Sequence, residues 1–148
     1  SGTDSSASIN ADFRPSQKIN RKEYIPLFNL NEIRNEIDLD NISVLKIDVE
    51  GAELEVIKCF YDEINEQKPI ILIEILPAYN DQRKERIRRQ NEIQQLLAKL
   101  NFSMYRVIKQ NDILLDLKEI AEIEIHSDLN NCEYVMVPEL KKEKFRKH

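Results

Sequence analysis

Val44-Leu45-Lys46-Ile47-Asp48-Val49-Glu50-Gly51 opens the stretch that decides the fold, and Ile70-Ile71-Leu72-Ile73-Glu74-Ile75-Leu76 closes it. The first run is short, apolar and rich in β-branched residues, which suits a strand better than a helix. Gly51 permits a tight turn, because a residue without Cβ accepts positive φ. Beyond it Leu54, Ile57, Cys59, Phe60 and Ile64 make a broad apolar face, and the pattern predicts one helix from Ala52 to Asn65. The second run follows Pro69 and is almost continuously apolar, as in parallel strands covered on both faces. Strand, helix, strand is a βαβ unit, so Val44–Val49 and Ile70–Ile75 are expected to lie parallel with a right-handed crossover.

Working outward, residues 1 to 23 are polar and read as a loop or tail. Tyr24 to Leu30 is mostly apolar, but Pro26 confines it to an edge strand or an extended connection. Asn31 resembles a helix N-cap, followed by a short helix carrying Ile33 and Ile37 and ending near Asp38. On the other side, a charged stretch from Asp81 to Arg89 leads into an amphipathic helix with Ile93, Leu96, Leu97 and Leu100. Phe102–Ile108 is a third strand, and Cys132–Val137 a last one, stopped by Pro138. Between them Ile113–Leu115 reads as a short strand, and Leu117–Ile125 fits helix or strand equally. Lys141 to His148 reads as a solvated basic tail. This order argues for a doubly wound α/β sheet whose closing strands form an antiparallel pair.

The chain has 148 residues, 41% apolar and 33% charged, enough for one globular domain with a real core. A net charge of −5 argues against a nucleic-acid binder, which is usually basic. No apolar stretch approaches the ~20 residues of a spanning helix, and no signal peptide is visible. A cytoplasmic location is therefore expected. Ser1 stands where a Met would, so the chain reads as processed or cut from a longer polypeptide. Two cysteines, Cys59 and Cys132, read as buried reduced thiols, and with only two histidines no zinc spacing exists.

Ligands of open α/β sheets bind beyond the carboxyl ends of the strands, which selects two loops. The first, Asp48 to Glu53, packs three carboxylates into six residues. Glu50 and Glu53 suit a helix N-terminus, where the dipole favours them by roughly 0.3–1 kcal/mol. Asp48 sits inside an apolar run, where an ionised carboxylate needs a partner or solvent. The second loop runs from Glu74 to Asn80, and Glu74 repeats the situation of Asp48. It should face the same cleft or meet Lys46. Asp48 and Glu50 are the candidate catalytic residues; Glu53, Glu74, Tyr79 and Asn80 are candidates for holding a substrate. No metal site is assigned, although Asp48-Val49-Glu50 also fits the acidic pair of a metal-dependent glycosyltransferase.

Lys46 to Glu53 reads Lys-Ile-Asp-Val-Glu-Gly-Ala-Glu and resembles the signature of FkbM-type methyltransferases. Leu30-Asn31-Glu32-Ile33, the Ser-rich front at Ser5-Ser6-Ala7-Ser8, Lys68-Pro69 with the strand ending at Glu74, and Tyr134 to Pro138 fit the family in support. The resemblance implies a Rossmann-like class I methyltransferase that uses S-adenosylmethionine, with a sugar or other small hydroxylated molecule as acceptor. Asp48 and Glu50 would then lie at the end of the family's fourth strand. The family also carries a Gly-rich cofactor turn after its first strand, whereas this chain has only Gly2 and Gly51. Residues 31–138 accordingly read as the C-terminal half of such a domain, with a polar segment before (1–30) and a basic tail after (139–148). The cofactor-binding residues are not assigned. A non-catalytic half-domain is the alternative, and the open edge of Val44–Val49 is expected to favour self-association.

Overall fold

The computed structural model describes residues 30–34, 36–111 and 113–145. Helix α1 (Leu30–Ile33) is followed by strand β1 (Val44–Ile47), helices α2 (Glu53–Cys59) and α3 (Tyr61–Gln67), and strand β2 (Ile70–Glu74). Helix α4 (Lys84–Lys99), strands β3 (Phe102–Gln110), β4 (Ile113–Ile120) and β5 (Glu133–Pro138), and the short helix α5 (Lys142–Phe145) complete the order. The polar front and the Tyr24–Asn29 part of the proposed connection lie outside the described residues.

One mixed sheet contains all five strands, in the order β1-β2-β5-β3-β4. β1 and β2 are parallel, with Val44 opposite Ile70 and Ile47 opposite Ile73. β5 inserts antiparallel between β2 and β3, placing Tyr134 beside both Ile73 and Arg106. The expected parallel unit and the antiparallel closing pair are both present, in a mixed α/β fold. β5 follows β3 and β4 in sequence yet lies inside them. Its position is earned by composition: Tyr134, Val135, Met136 and Val137 are all buried.

The core lies on one face. Ile47, Ile71, Ile73, Met104, Tyr134 and Met136 of the sheet meet Leu54, Ile57, Ile64, Ile93 and Leu97 of α2, α3 and α4. Each such side chain, fully buried, contributes ~1.5–3 kcal/mol. A doubly wound sheet would carry helices of similar weight on both faces. Among the described residues, the second face carries only α5, where the Phe145 ring meets that of Tyr105 at 5.3 Å in a tilted contact. Val44 and Leu72 on that face stay exposed.

Four local expectations need correction. The single helix over Ala52–Asn65 is two helices, broken at Phe60, whose backbone leaves the helical region (φ −97°, ψ 17°). Cys59 is exposed, not buried, because it lies roughly 200° around the helix from buried Ile57; Cys132 is buried, as expected. Helix α1 stops at Ile33, and Ile37 is exposed. The Ile113–Leu115 strand extends to Ile120 and forms a long hairpin with β3, with a register shift at Ile108/Lys109. Beyond Ile120 the chain is irregular until a 3-10 turn at Leu129–Asn131.

The start of the basic tail is held in place. Lys141 Nζ donates to the Lys68 carbonyl at 2.6 Å, and Lys142 Nζ reaches Glu119 at 2.6 Å.

Candidate active site

The carboxyl ends of β1 and β2 lie side by side, since Ile47 pairs with Ile73. Asp48 and Glu74 are therefore the next residues on adjacent parallel strands. Both strands alternate, with Ile47, Ile71 and Ile73 facing the helices. Asp48 and Glu74 point to the other side of the sheet. Lys46 is two residues back on that side, and its ammonium lies 3.3 Å from Asp48. Glu133 of β5 pairs with Glu74 and adds a further carboxylate; it is held by Lys109.

This crowding acts on Glu74. Its carboxyl is pushed above the ordinary range, first by burial and then by Asp48, Glu50 and Glu133. Cys132 opposes the shift, with Sγ 3.4 Å from Glu74 Oε1. The thiol itself is pushed up to about 12 by burial and by Glu74, so it stays protonated and is no nucleophile at neutral pH. A carboxylate with a raised pKa is a better base than an ordinary one.

Glu50 and Gly51 make the turn from β1 into α2, both with positive φ, 50° and 102°. For glycine this is easy, whereas a glutamate in the left-handed region is uncommon. The turn is closed by Glu53, whose Oε1 accepts the Gly51 N–H at 2.7 Å. Glu53 is buried, and burial raises its pKa despite that hydrogen bond. Of the sequence candidates, Asp48 and Glu50 both act electrostatically on Glu74, and Glu50 also acts on Glu53. Tyr79 and Asn80 stand apart. The Tyr79 ring lies under the Arg86 guanidinium at 5.6 Å, and Asn80 Oδ1 accepts the Gln82 N–H at 3.1 Å in a local turn. Both are exposed.

Beside the acidic mouth, on the helix side, a cleft of about 300 Å³ opens between the β1–α2 turn, the end of β2 and the start of α4. Gly51, Glu53, Leu76, Arg83, Lys84 and Arg86 help to line it. Two side chains missed in the sequence build its wall. Arg89 donates to the Gly51 carbonyl at 2.9 Å and pairs with Glu55, fastening α4 to the turn. Gln90 is buried and donates to the Leu76 carbonyl at 3.2 Å. Arg86, Arg89, Gln90 and Ile93 recur at three- and four-residue steps, so the signal was present once α4 was recognised as facing inward. Among the described residues, no group of three or more His, Cys, Asp or Glu has the geometry to hold a metal. No helix there is long and apolar enough to cross a membrane.

The family model of the methyltransferase FkbM domain matches residues 1–107, which include the polar front, β1, β2, α4 and most of β3. The Tyr134–Pro138 segment falls outside the match. No curated protein and no solved structure matches the chain significantly. With 107 of its 148 residues matched, and the signature at the acidic mouth, the chain belongs to the FkbM methyltransferase family.

Proposed function

We propose that this chain is the acceptor side of an S-adenosylmethionine-dependent O-methyltransferase. On this reading its sheet is the carboxyl half of a Rossmann-like class I domain. The observation that supports it best is the pairing of Asp48 with Glu74 at the carboxyl ends of parallel strands, within a family of methyltransferases. A hydroxyl becomes a competent nucleophile as its proton leaves, and a positioned carboxylate takes that proton. Asp48 and Glu50 are the residues that take it, with Glu74, Glu53, Tyr79 and Asn80 around the acceptor. The raised pKa of Glu74 makes it a third proton acceptor within the same group.

The cofactor supplies the methyl group. Its recognition calls for a turn whose backbone can approach it closely. The glycine among the described residues, Gly51, has its N–H bonded to Glu53 and its carbonyl to Arg89. That turn is spoken for by its own side chains and does not fit the cofactor. The cofactor cradle is accordingly placed outside the described residues, and this chain by itself is expected to bind S-adenosylmethionine weakly. Calorimetric titration checks this, and micromolar affinity for the isolated chain contradicts it.

The activity is tested by incubating the full-length protein with S-adenosylmethionine and a panel of sugars and other hydroxylated small molecules. A methyl ether formed together with S-adenosylhomocysteine is the expected product. Transfer confined to nitrogen or carboxyl acceptors would contradict the reading.

A further inference from the structure

The cleft beside the acidic mouth has the opposite charge. Four of its lining side chains are cationic, Arg83, Lys84, Arg86 and Arg89, against Glu53 and Glu85. The two acids do little to balance them. Glu85 is turned to Arg88, at 2.6 Å, and burial works against ionisation of Glu53. Arg86 and Arg89 are structural in part: Arg86 donates to the Pro77 carbonyl at 3.0 Å, and Arg89 holds the Gly51 turn. The Arg83 and Lys84 side chains are exposed at the rim and have no hydrogen-bond or ion-pair partner among the described residues. They are at the start of α4, a helix of 16 residues with no side-chain cap. Its first N–H groups lack helical acceptors and add to the pull on an anion.

Resting on the proposed acceptor role, we infer that the acceptor is a small hydroxylated molecule bearing a phosphate or carboxylate group, held in this cleft by Arg83 and Lys84. The two neighbouring charge fields set its direction. An anionic substituent is repelled by Asp48, Glu50 and Glu74 and drawn to the basic cleft. Its hydroxyl is then left at the Glu50–Gly51 turn, where the cleft borders the carboxyl end of the strands. Guanidinium and ammonium groups bind both anions by charge-assisted hydrogen bonds. A cleft of about 300 Å³ suits a monosaccharide-sized ligand. Gly51 and Glu53 line it, so the ligand is adjacent to the turn that carries Glu50.

The test is an amide NMR titration of the full 148-residue chain at low salt with glucose 6-phosphate, glucuronate and glucose. Glucose 6-phosphate, glucuronate or both should bind at least about tenfold more tightly than glucose. The shifts should fall on Gly51 and on Lys84–Gln90, and added salt should weaken binding. The relative strength of the two anions tells phosphate from carboxylate. An R83A/K84A variant, with its amide spectrum otherwise unchanged, should lose the preference. R83K/K84R should largely keep it. Equal binding of glucose, no binding of either anion, or a preference that survives R83A/K84A overturns the inference. The proposed activity fails separately: methyl transfer to neutral acceptors with no anion preference sinks this inference alone, whereas anion binding without any methyl transfer sinks that activity and leaves an anion site without an acceptor role.

Discussion

Two hollows of similar size lie at opposite ends of the sheet, and α4 lines both. The one at the carboxyl end, about 300 Å³, has basic walls and borders the crowded carboxylates. The one at the amino end, about 380 Å³, lies between α4, the start of β3 and the end of β4, and its wall includes Gln94, Ala98, Phe102, Ser103 and Ile120. Volume alone would favour the second. Chemistry favours the first, because there two carboxyls, Glu53 and Glu74, have their pKa values raised by burial beside the positive-φ Glu50–Gly51 turn. On the proposed reading, what separates the working end from the structural end is unfavourable electrostatics that the rest of the core can support.

The contrast is broken most easily through turnover. Neutralising the acidic mouth by Asp48→Asn or Glu50→Gln in the full-length protein should cost roughly 10²–10⁴-fold in methyl transfer. Gln94→Ala, in the other hollow, should leave turnover unchanged. Parental rates for both carboxylate variants would move the site elsewhere.

Stability should show the reverse ordering. Gln94 Oε1 accepts the Ile123 N–H and ties the loop after β4 to α4. Its removal strands a backbone donor, at ~1–3 kcal/mol, read by urea denaturation. Arg83→Ala and Lys84→Ala, exposed and unpaired, should change stability by no more than ~0.5 kcal/mol.

The smallest effect is a pH dependence. Glu53 has a raised folded-state pKa, so the folded protein holds that proton more tightly than the unfolded chain. Its contribution to stability is fully present below the ordinary carboxylate value of 4.5 and is lost as pH rises through the folded value. Glu53→Gln keeps an oxygen for the Gly51 N–H but never ionises. The variant should therefore gain stability over the parent at neutral pH, with the gain shrinking as pH falls toward 4.5. A gain that is constant with pH would show that Glu53 does not titrate as described.

The strands and their parallel pairing were legible because short, nearly continuous apolar runs and their flanking Gly51 and Pro69 act locally. Asp48 and Glu74 stood out for a related reason: each is a charged residue at the end of an apolar strand. The break at Phe60 and the exposure of Cys59 were not legible, since the apolar count continues smoothly through both. Nor was the wall formed by Arg89 and Gln90. Their partners, the Gly51 and Leu76 carbonyls, are 38 and 14 residues away, and only the docking of α4 brings them together. The insertion of β5 between β2 and β3 is likewise a tertiary choice, made by four consecutive buried side chains.

The central claim is that an acceptor loses its proton to the carboxylates at the carboxyl end. Its most direct test is the pH profile of kcat/KM for methyl transfer by the full-length protein, parent against Glu74→Gln. The parent rate should rise with pH through an apparent pKa above the ordinary carboxylate range, because Glu74, the third proton acceptor beside Asp48 and Glu50, must be ionised for the group to work at full rate. In Glu74→Gln that limb should move or vanish, with a lower plateau. A limb unchanged in position and height by the substitution would contradict the account.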